Sequence, residues 1–159
     1  MKTNLKLYDV PQIETIQQMV LESAEKYSDK IALEDLNPTP IQSVTFKELL
    51  KYILKFGTAL RQLGLQERAH IALIGENRVQ WSISYLTSMC FNYVIVPIDK
   101  NLNSNEILNI VHESDAEAII FSESFSSTFS GSHTYLKKLK YFICMDKTRE
   151  DPKFLNMLD

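Results

Sequence analysis

Residues 70–121 read HIALIGENRVQWSISYLTSMCFNYVIVPIDKNLNSNEILNIVHESDAEAIIF. The stretch alternates short apolar runs with longer amphipathic ones. Strands are predicted over 71–74, 93–96 and 118–121, and a fourth over 141–144. Helical patterns fill the gaps over 78–91, 104–114 and, in a serine-rich region, 124–139. The apolar runs are continuous rather than alternating, as expected of strands covered on both faces. Strand and helix in alternation predict an α/β fold, a parallel sheet of about four strands flanked by helices with right-handed crossovers.

The flanks support this reading. Ile13, Ile16, Met19, Val20 and Ala24 recur at helical spacing, which predicts an amphipathic helix over 13–27. Residues 31–34 and 43–46 are predicted to form a small β-hairpin near the N-terminus, around the turn signal Asn37-Pro38-Thr39-Pro40. Thr45 with Glu48 three residues later makes a capping box, in which each side chain satisfies an orphan backbone N–H. Phe46, Leu49, Leu50, Ile53, Gly57 and Leu60 then line one helical stripe. Gly64 stands where a helix end turns left-handed. Asn103 and Glu106 repeat the capping arrangement.

The chain of 159 residues is 45% hydrophobic and 23% charged with a net charge of -3, an ordinary globular composition. It shows no basic stripe, so nucleic acid is not an expected partner. Its apolar runs fall short of the roughly 18 residues of a spanning helix, and no transmembrane segment is expected. The first residues lack the apolar region of a secretory signal. Cys90 and Cys144 fit a reducing, cytoplasmic environment as buried thiols.

Several residues carry possible chemistry, each with a plainer reading. Gly75-Glu76-Asn77-Arg78 follows the first parallel strand, where open α/β sheets bind ligands and where helix-start N–H groups hold anions. Neither G-x-G-x-x-G nor G-x-x-x-x-G-K-[ST] is present, and the favoured reading is a tight turn with Asn77 capping the helix. Asp99 at the end of the next strand suits a metal or a ribose, but reads more simply as a solvated loop residue. His70, His112 and His133 lack metal-ligand spacing, neither cysteine has a C-x-x-C partner, and no G-x-S-x-G elbow exists. Trp81, Tyr85 and Met89 share one helix face, read as core packing in preference to an acyl pocket. The apolar stripe after Phe46 suits a core helix better than a membrane surface. The four glycines, Gly57, Gly64, Gly75 and Gly131, are too dispersed to build a phosphate-cradling loop.

Taken in order, the motifs resemble the adenylate-forming (AMP-binding) superfamily of acyl-CoA synthetases, and long-chain fatty acid–CoA ligases most of all. Thr45-Phe46-Lys47-Glu48-Leu49 resembles the family's TY-x-E-L helix start. Leu60-Arg61-Gln62-Leu63-Gly64-Leu65 with His70-Ile71-Ala72-Leu73-Ile74 is similar to its L-x-x-L-G-(V/L) … R-V-A-I passage. Glu76-Asn77-Arg78-Val79-Gln80-Trp81 resembles E-N-R-x-E-W, and Val96-Pro97-Ile98-Asp99-Lys100-Asn101-Leu102 resembles V-P-(L/I)-D-x-x-L. Met89-Cys90-Phe91-Asn92 departs from the small, glycine-containing stretch the family usually has there.

The resemblance implies that a carboxylate attacks the α-phosphate of ATP to give acyl-AMP and pyrophosphate, after which the thiol of CoA displaces AMP. It implies ATP, Mg²⁺ and CoA for the full-length enzyme, a carboxylic or fatty acid as its substrate, and the remainder of the synthetase as this chain's partner. The family's phosphate loop, adenine pocket, ribose-binding Asp and mobile Lys lie downstream of the matched region. No catalytic, cofactor-binding or metal residue is therefore assigned here. The expected organisation is an α/β subdomain over 1–145, with 146–159 as a tail or the start of a continuation. The chain alone is expected to be inactive. The alternatives are a stand-alone α/β interaction module that lost the chemistry, and a flavodoxin-like nucleotide binder.

Overall fold

A computed structural model describes residues 12–36, 41–146 and 153–157. Helix α1 (Ile16–Tyr27) is capped by Thr15, whose side chain accepts from the Gln18 N–H. Strands β1 (Ile31–Glu34) and β2 (Ser43–Thr45) pair antiparallel as a separate two-stranded sheet. The turn expected at Asn37–Pro40 lies outside the described residues.

Thr45 ends β2 and caps helix α2 (Phe46–Gln62), so hairpin and helix share one residue. The capping box is complete: Thr45 Oγ1 accepts from the Glu48 N–H at 3.2 Å and Glu48 Oε2 from the Thr45 N–H at 2.9 Å. Gly64 takes the left-handed conformation, φ +96°, that its place after the helix requires.

The main sheet contains β3 (His70–Ile74), β4 (Val94–Pro97), β5 (Ala118–Phe121), β6 (Tyr141–Cys144) and β7 (Phe154–Asn156). Its order is β4-β3-β5-β6-β7, every described pairing being parallel. Helix α3 (Val79–Cys90) connects β3 to β4, and α4 (Ser104–Glu113) connects β4 to β5. The capping box of α4 is also complete, between Asn103 and Glu106.

Alternate residues of each strand enter opposite cores, as the pleat requires. Ala72, Ile74, Ile119, Phe121 and Phe142 pack with Ile107 and Val111 of α4. Ile71, Leu73, Ala118, Ile120 and Ile143 pack with Phe56 and Leu60 of α2. Both faces are covered, which is why the strands read as unbroken apolar runs. A third cluster, Val20, Val44, Leu49, Ile53, Val79 and Ile83, ties α1, the hairpin, α2 and α3 together.

Three expectations are corrected. The helix predicted over 124–139 is instead two single 3₁₀ turns (Glu123–Phe125, Ser132–Thr134) around the four-residue α5 (Ser126–Phe129). Gly131 at φ +73° breaks the pattern, and the Ser132 hydroxyl donates to the Phe129 carbonyl at 2.8 Å. Phe129, Leu136 and Leu139 are still buried, so the apolar spacing reported burial rather than helix. Asn77 does not cap α3. Arg78 occupies the cap position but its side chain makes no capping hydrogen bond, and Asp35 from the hairpin accepts the Val79 N–H at 3.0 Å. Finally, Met89 departs from the core face: it is 40% exposed, while Trp81 and Tyr85 pack, half-buried, against the sheet cluster of Ile71, Leu73 and Ile120 as read. The fully buried face of α3 is Val79, Gln80, Ile83, Ser84, Thr87 and Ser88. The sheet also has a fifth strand, since residues 154–156, within the stretch read as tail or continuation, pair with β6.

The bulky Met89-Cys90-Phe91-Asn92 stretch has a partner elsewhere. A Cβ on Gly57 would stand 2.2 Å from the Phe91 ring, so the glycine in α2 makes room for that side chain.

Candidate functional site

The carboxyl ends of β3, β5 and β6 meet in one polar network. β3 runs out into Gly75-Glu76-Asn77-Arg78, β5 into Ser122-Glu123-Ser124 and β6 into Met145-Asp146. Gly75 lies where these ends converge: a Cβ there would be 3.0 Å from Met145 Cε and 3.3 Å from Ser122 Oγ. The Ser122 N–H donates to the Ile74 carbonyl at 3.2 Å and the Met145 N–H to the Phe121 carbonyl at 2.8 Å, which fixes the three strand ends together.

Arg78 grips Asp146 through two parallel hydrogen bonds of 2.9 and 2.8 Å, with only 9% of its side chain exposed. Asp146 Oδ2 also accepts the Glu123 N–H at 2.9 Å. Burial pushes the Asp146 carboxyl up, but the Arg78 hydrogen bonds, the Glu123 N–H and the guanidinium charge outweigh it and hold the group below its ordinary range. Glu76 behaves alike: burial raises it, while hydrogen bonds from Ser122 and Ser124 and the nearby Arg78 bring it below its usual value. Ser124 donates to Glu76 at 2.7 Å and shares a 2.9 Å bond with Ser122.

This arrangement does not fit a nucleotide phosphate. Its guanidinium is bound bidentately to a carboxylate, Glu76 and Asp146 put negative charge at the same end, and Met145 and Ser122 fill the open side of Gly75. Among the described residues no three His, Cys, Asp or Glu side chains gather as a metal site. Asp99 is an exposed loop residue whose Oδ1 accepts the Asn101 N–H at 2.9 Å. His70 donates from Nδ1 to the Ser114 carbonyl at 2.6 Å, so that ring nitrogen carries the proton. His112 sits beside Glu113 on the surface, and the His133 side chain lies outside the described residues. Cys90 and Cys144 are free thiols; burial raises both, Cys144 to about 11, far from a reactive thiolate.

Sequence reasoning placed Gly75–Arg78 correctly at a strand's carboxyl end. It missed Asp146, Ser122 and Ser124 as their partners. The local signal was position, since each lies within three residues of the end of a predicted strand.

The family model described as AMP-binding enzyme matches residues 20–154. A chloroplastic long-chain-fatty-acid–[acyl-carrier-protein] ligase of Arabidopsis thaliana is 32% identical over 124 residues, covering 77% of this chain and 17% of its own length. Long chain acyl-CoA synthetase 1 of the same plant is 25% identical over 118 residues, covering 71% of the chain and 18% of its own length. The chain thus spans about a sixth of the curated relatives it matches. Among solved structures, coronafacic acid ligase of Pectobacterium brasiliense superposes with a TM-score of 0.81 at 20% identity, over 91% of this chain and 28% of that one. That likeness is one of fold. No helix among the described residues is long and apolar enough to cross a membrane.

Proposed function

The chain belongs to the AMP-binding enzyme family, and from that premise we propose that it forms the amino-terminal scaffold of an ATP-dependent long-chain fatty acid–CoA ligase. The carrying observation is the combination of a family match over 20–154 with a carboxyl-end network whose Arg78 guanidinium is gripped bidentately by Asp146. In this reading ATP, Mg²⁺ and CoA are bound by the remainder of the synthetase, and this chain's contribution is mechanical. Arg78, Asp146 and the Glu123 N–H lock the ends of β3, β5 and β6, giving the remaining polypeptide a rigid wall. The named activities of the Arabidopsis relatives support a long-chain fatty acid as the acid and a thiol as its acceptor. Two free thiols, Cys144 buried and Cys90 partly so, suit a reducing compartment such as the cytoplasm.

The test is ATP–pyrophosphate exchange with long-chain fatty acids, run on residues 1–159 and on the same chain joined to the downstream part of a related ligase. We expect no exchange from the first and exchange from the second. Exchange by residues 1–159 alone would overturn the reading. A monodisperse, inert chain that never supports exchange in the joined form would favour the stand-alone interaction module.

A further inference from the structure

The amino ends of β3, β5 and β6 carry a second surface, built on different chemistry. A groove of about 610 Å³ there is walled entirely by charged side chains and one histidine. Arg68, Lys137, Lys138 and Lys140 face it against two carboxylates, Asp115 and Glu117. Both carboxylates are taken: Lys138 Nζ stands 2.6 Å from Asp115 and Lys140 Nζ 2.6 Å from Glu117. No hydrogen bond or ion pair engages the side chains of Arg68 and Lys137 among the described residues. On a chain of net charge -3, this is a locally cationic face.

Arg68 also pays a backbone cost to be there. Its φ is 61°, a left-handed conformation that glycine or asparagine adopts with less strain. Its N–H donates to the Asn92 carbonyl at 2.7 Å, which fixes the origin of the side chain at the groove's lip.

The groove runs into a cleft of about 480 Å³ that shares Asp115, Lys137 and Lys138 with it and has Val111, Leu136 and Leu139 in its walls. Tyr135 stands at this cleft, 49% exposed, stacked on His112 at 5.2 Å and donating to Asn109 at 3.0 Å. An ordered, exposed aromatic beside unpaired cations has the composition of a protein-docking surface: an anchor for an apolar side chain, with charges that steer and orient. A free anion would use the cations and leave the aromatic cleft idle; an acyl chain would find no apolar wall in the groove.

We propose that this amino-end surface docks an acidic segment of a partner protein. Arg68 and Lys137 receive carboxylates of that segment, and Tyr135 receives an apolar side chain next to them. The proposal stands on this face alone and is independent of the ligase reading, in which the reacting groups are held by the remainder of the synthetase.

The test is a titration of isotope-labelled residues 1–159 with a short Glu/Asp-rich peptide carrying one leucine, at low salt, followed by amide chemical shifts. The controls are the same peptide with Gln and Asn replacing the acids, and inorganic phosphate. Shifts should cluster at Arg68, His70, Asp115 and residues 135–140 and weaken steeply with salt. The pair R68A/K137A should lower affinity about tenfold, while K51A/K55A on α2 leaves it unchanged. Tyr135→Ala should weaken binding without changing the salt dependence. All these positions are exposed, so thermal melts should be unaltered. Shifts spread over every lysine-bearing face, an unaffected R68A/K137A pair, or phosphate reproducing the full response would overturn the proposal.

Discussion

Helix α2 starts on its own resources: Thr45 and Glu48, three residues apart, close the capping box, and a stripe of apolar residues follows at helical spacing. Helix α3 lies against the same core but starts on a borrowed group, the carboxylate of Asp35, 44 residues away. Its buried face is as polar as that of α2 is apolar. Gln80, Ser84, Thr87 and Ser88 are fully buried, the Ser84 and Ser88 hydroxyls donating back to the carbonyls of Gln80 and Ser84. Small hydroxyl residues bonded to their own helix let α3 approach closely, at little helix propensity. The Gln80 amide has no hydrogen-bond partner among the described residues. One helix is thus held by local sequence and the other by its neighbours.

The strongest challenge to this contrast is Arg78→Ala, which removes the residue tying the start of α3 to β6. Leaving Asp146 largely buried and unpaired should cost about 3 kcal/mol in urea unfolding. The same variant has a pH signature. The Asp146 carboxyl sits below its ordinary value of 3.8 in the folded chain. Its contribution is therefore present above that value and lost as pH falls through the folded one. Thermal melts carried from neutral to acid should show this acid limb in the wild type and a flatter one in Arg78→Ala.

Asp35→Ala comes next, at about 1–2 kcal/mol, since it removes the side-chain cap that α3 has among the described residues. Thr45→Ala should cost about 1 kcal/mol, and amide exchange should show fraying confined to the first turn of α2. If exchange after Asp35→Ala were equally confined, rather than spreading through α3 and the hairpin, the two helices would not differ in the way described. The smallest expected effect has the opposite sign. Gln80→Met keeps the volume and removes an unpartnered buried amide, and should stabilise by up to about 1 kcal/mol.

Much of the fold was legible in the sequence. Four strands of the main sheet, the hairpin, four helices, both capping boxes and the left-handed Gly64 were read from patterns no longer than a helix or a turn. The failures share a cause. Asn77 was the nearest capping residue to α3, yet the cap comes from the hairpin, because tertiary contact brings Asp35 closer than local spacing does. The serine-rich stretch after β5 has helix-like apolar spacing, but serine hydroxyls and Gly131 satisfy or redirect the backbone first. β7 is three residues long, Phe154–Asn156, too short for any period, and exists because Phe154 packs on Phe121 and Phe142. At the carboxyl end the sequence marked Gly75–Arg78 as the place to look. Nothing within a few residues of Arg78 could say that Asp146, 68 positions on, would neutralise it.

By itself the sequence determined the hairpin, helices α1 to α4, four strands of the main sheet, their order and the family, because capping, strand burial and turn chemistry are encoded over a few consecutive residues. The tertiary structure alone decided which ends are closed and which are open. Parallel pairing puts β3, β5 and β6 side by side, so that Arg78 meets Asp146 at one end of the sheet and Arg68 stands near Lys137 at the other. Whether a charge is paired depends on residues tens of positions away, and only the folded sheet sets that distance.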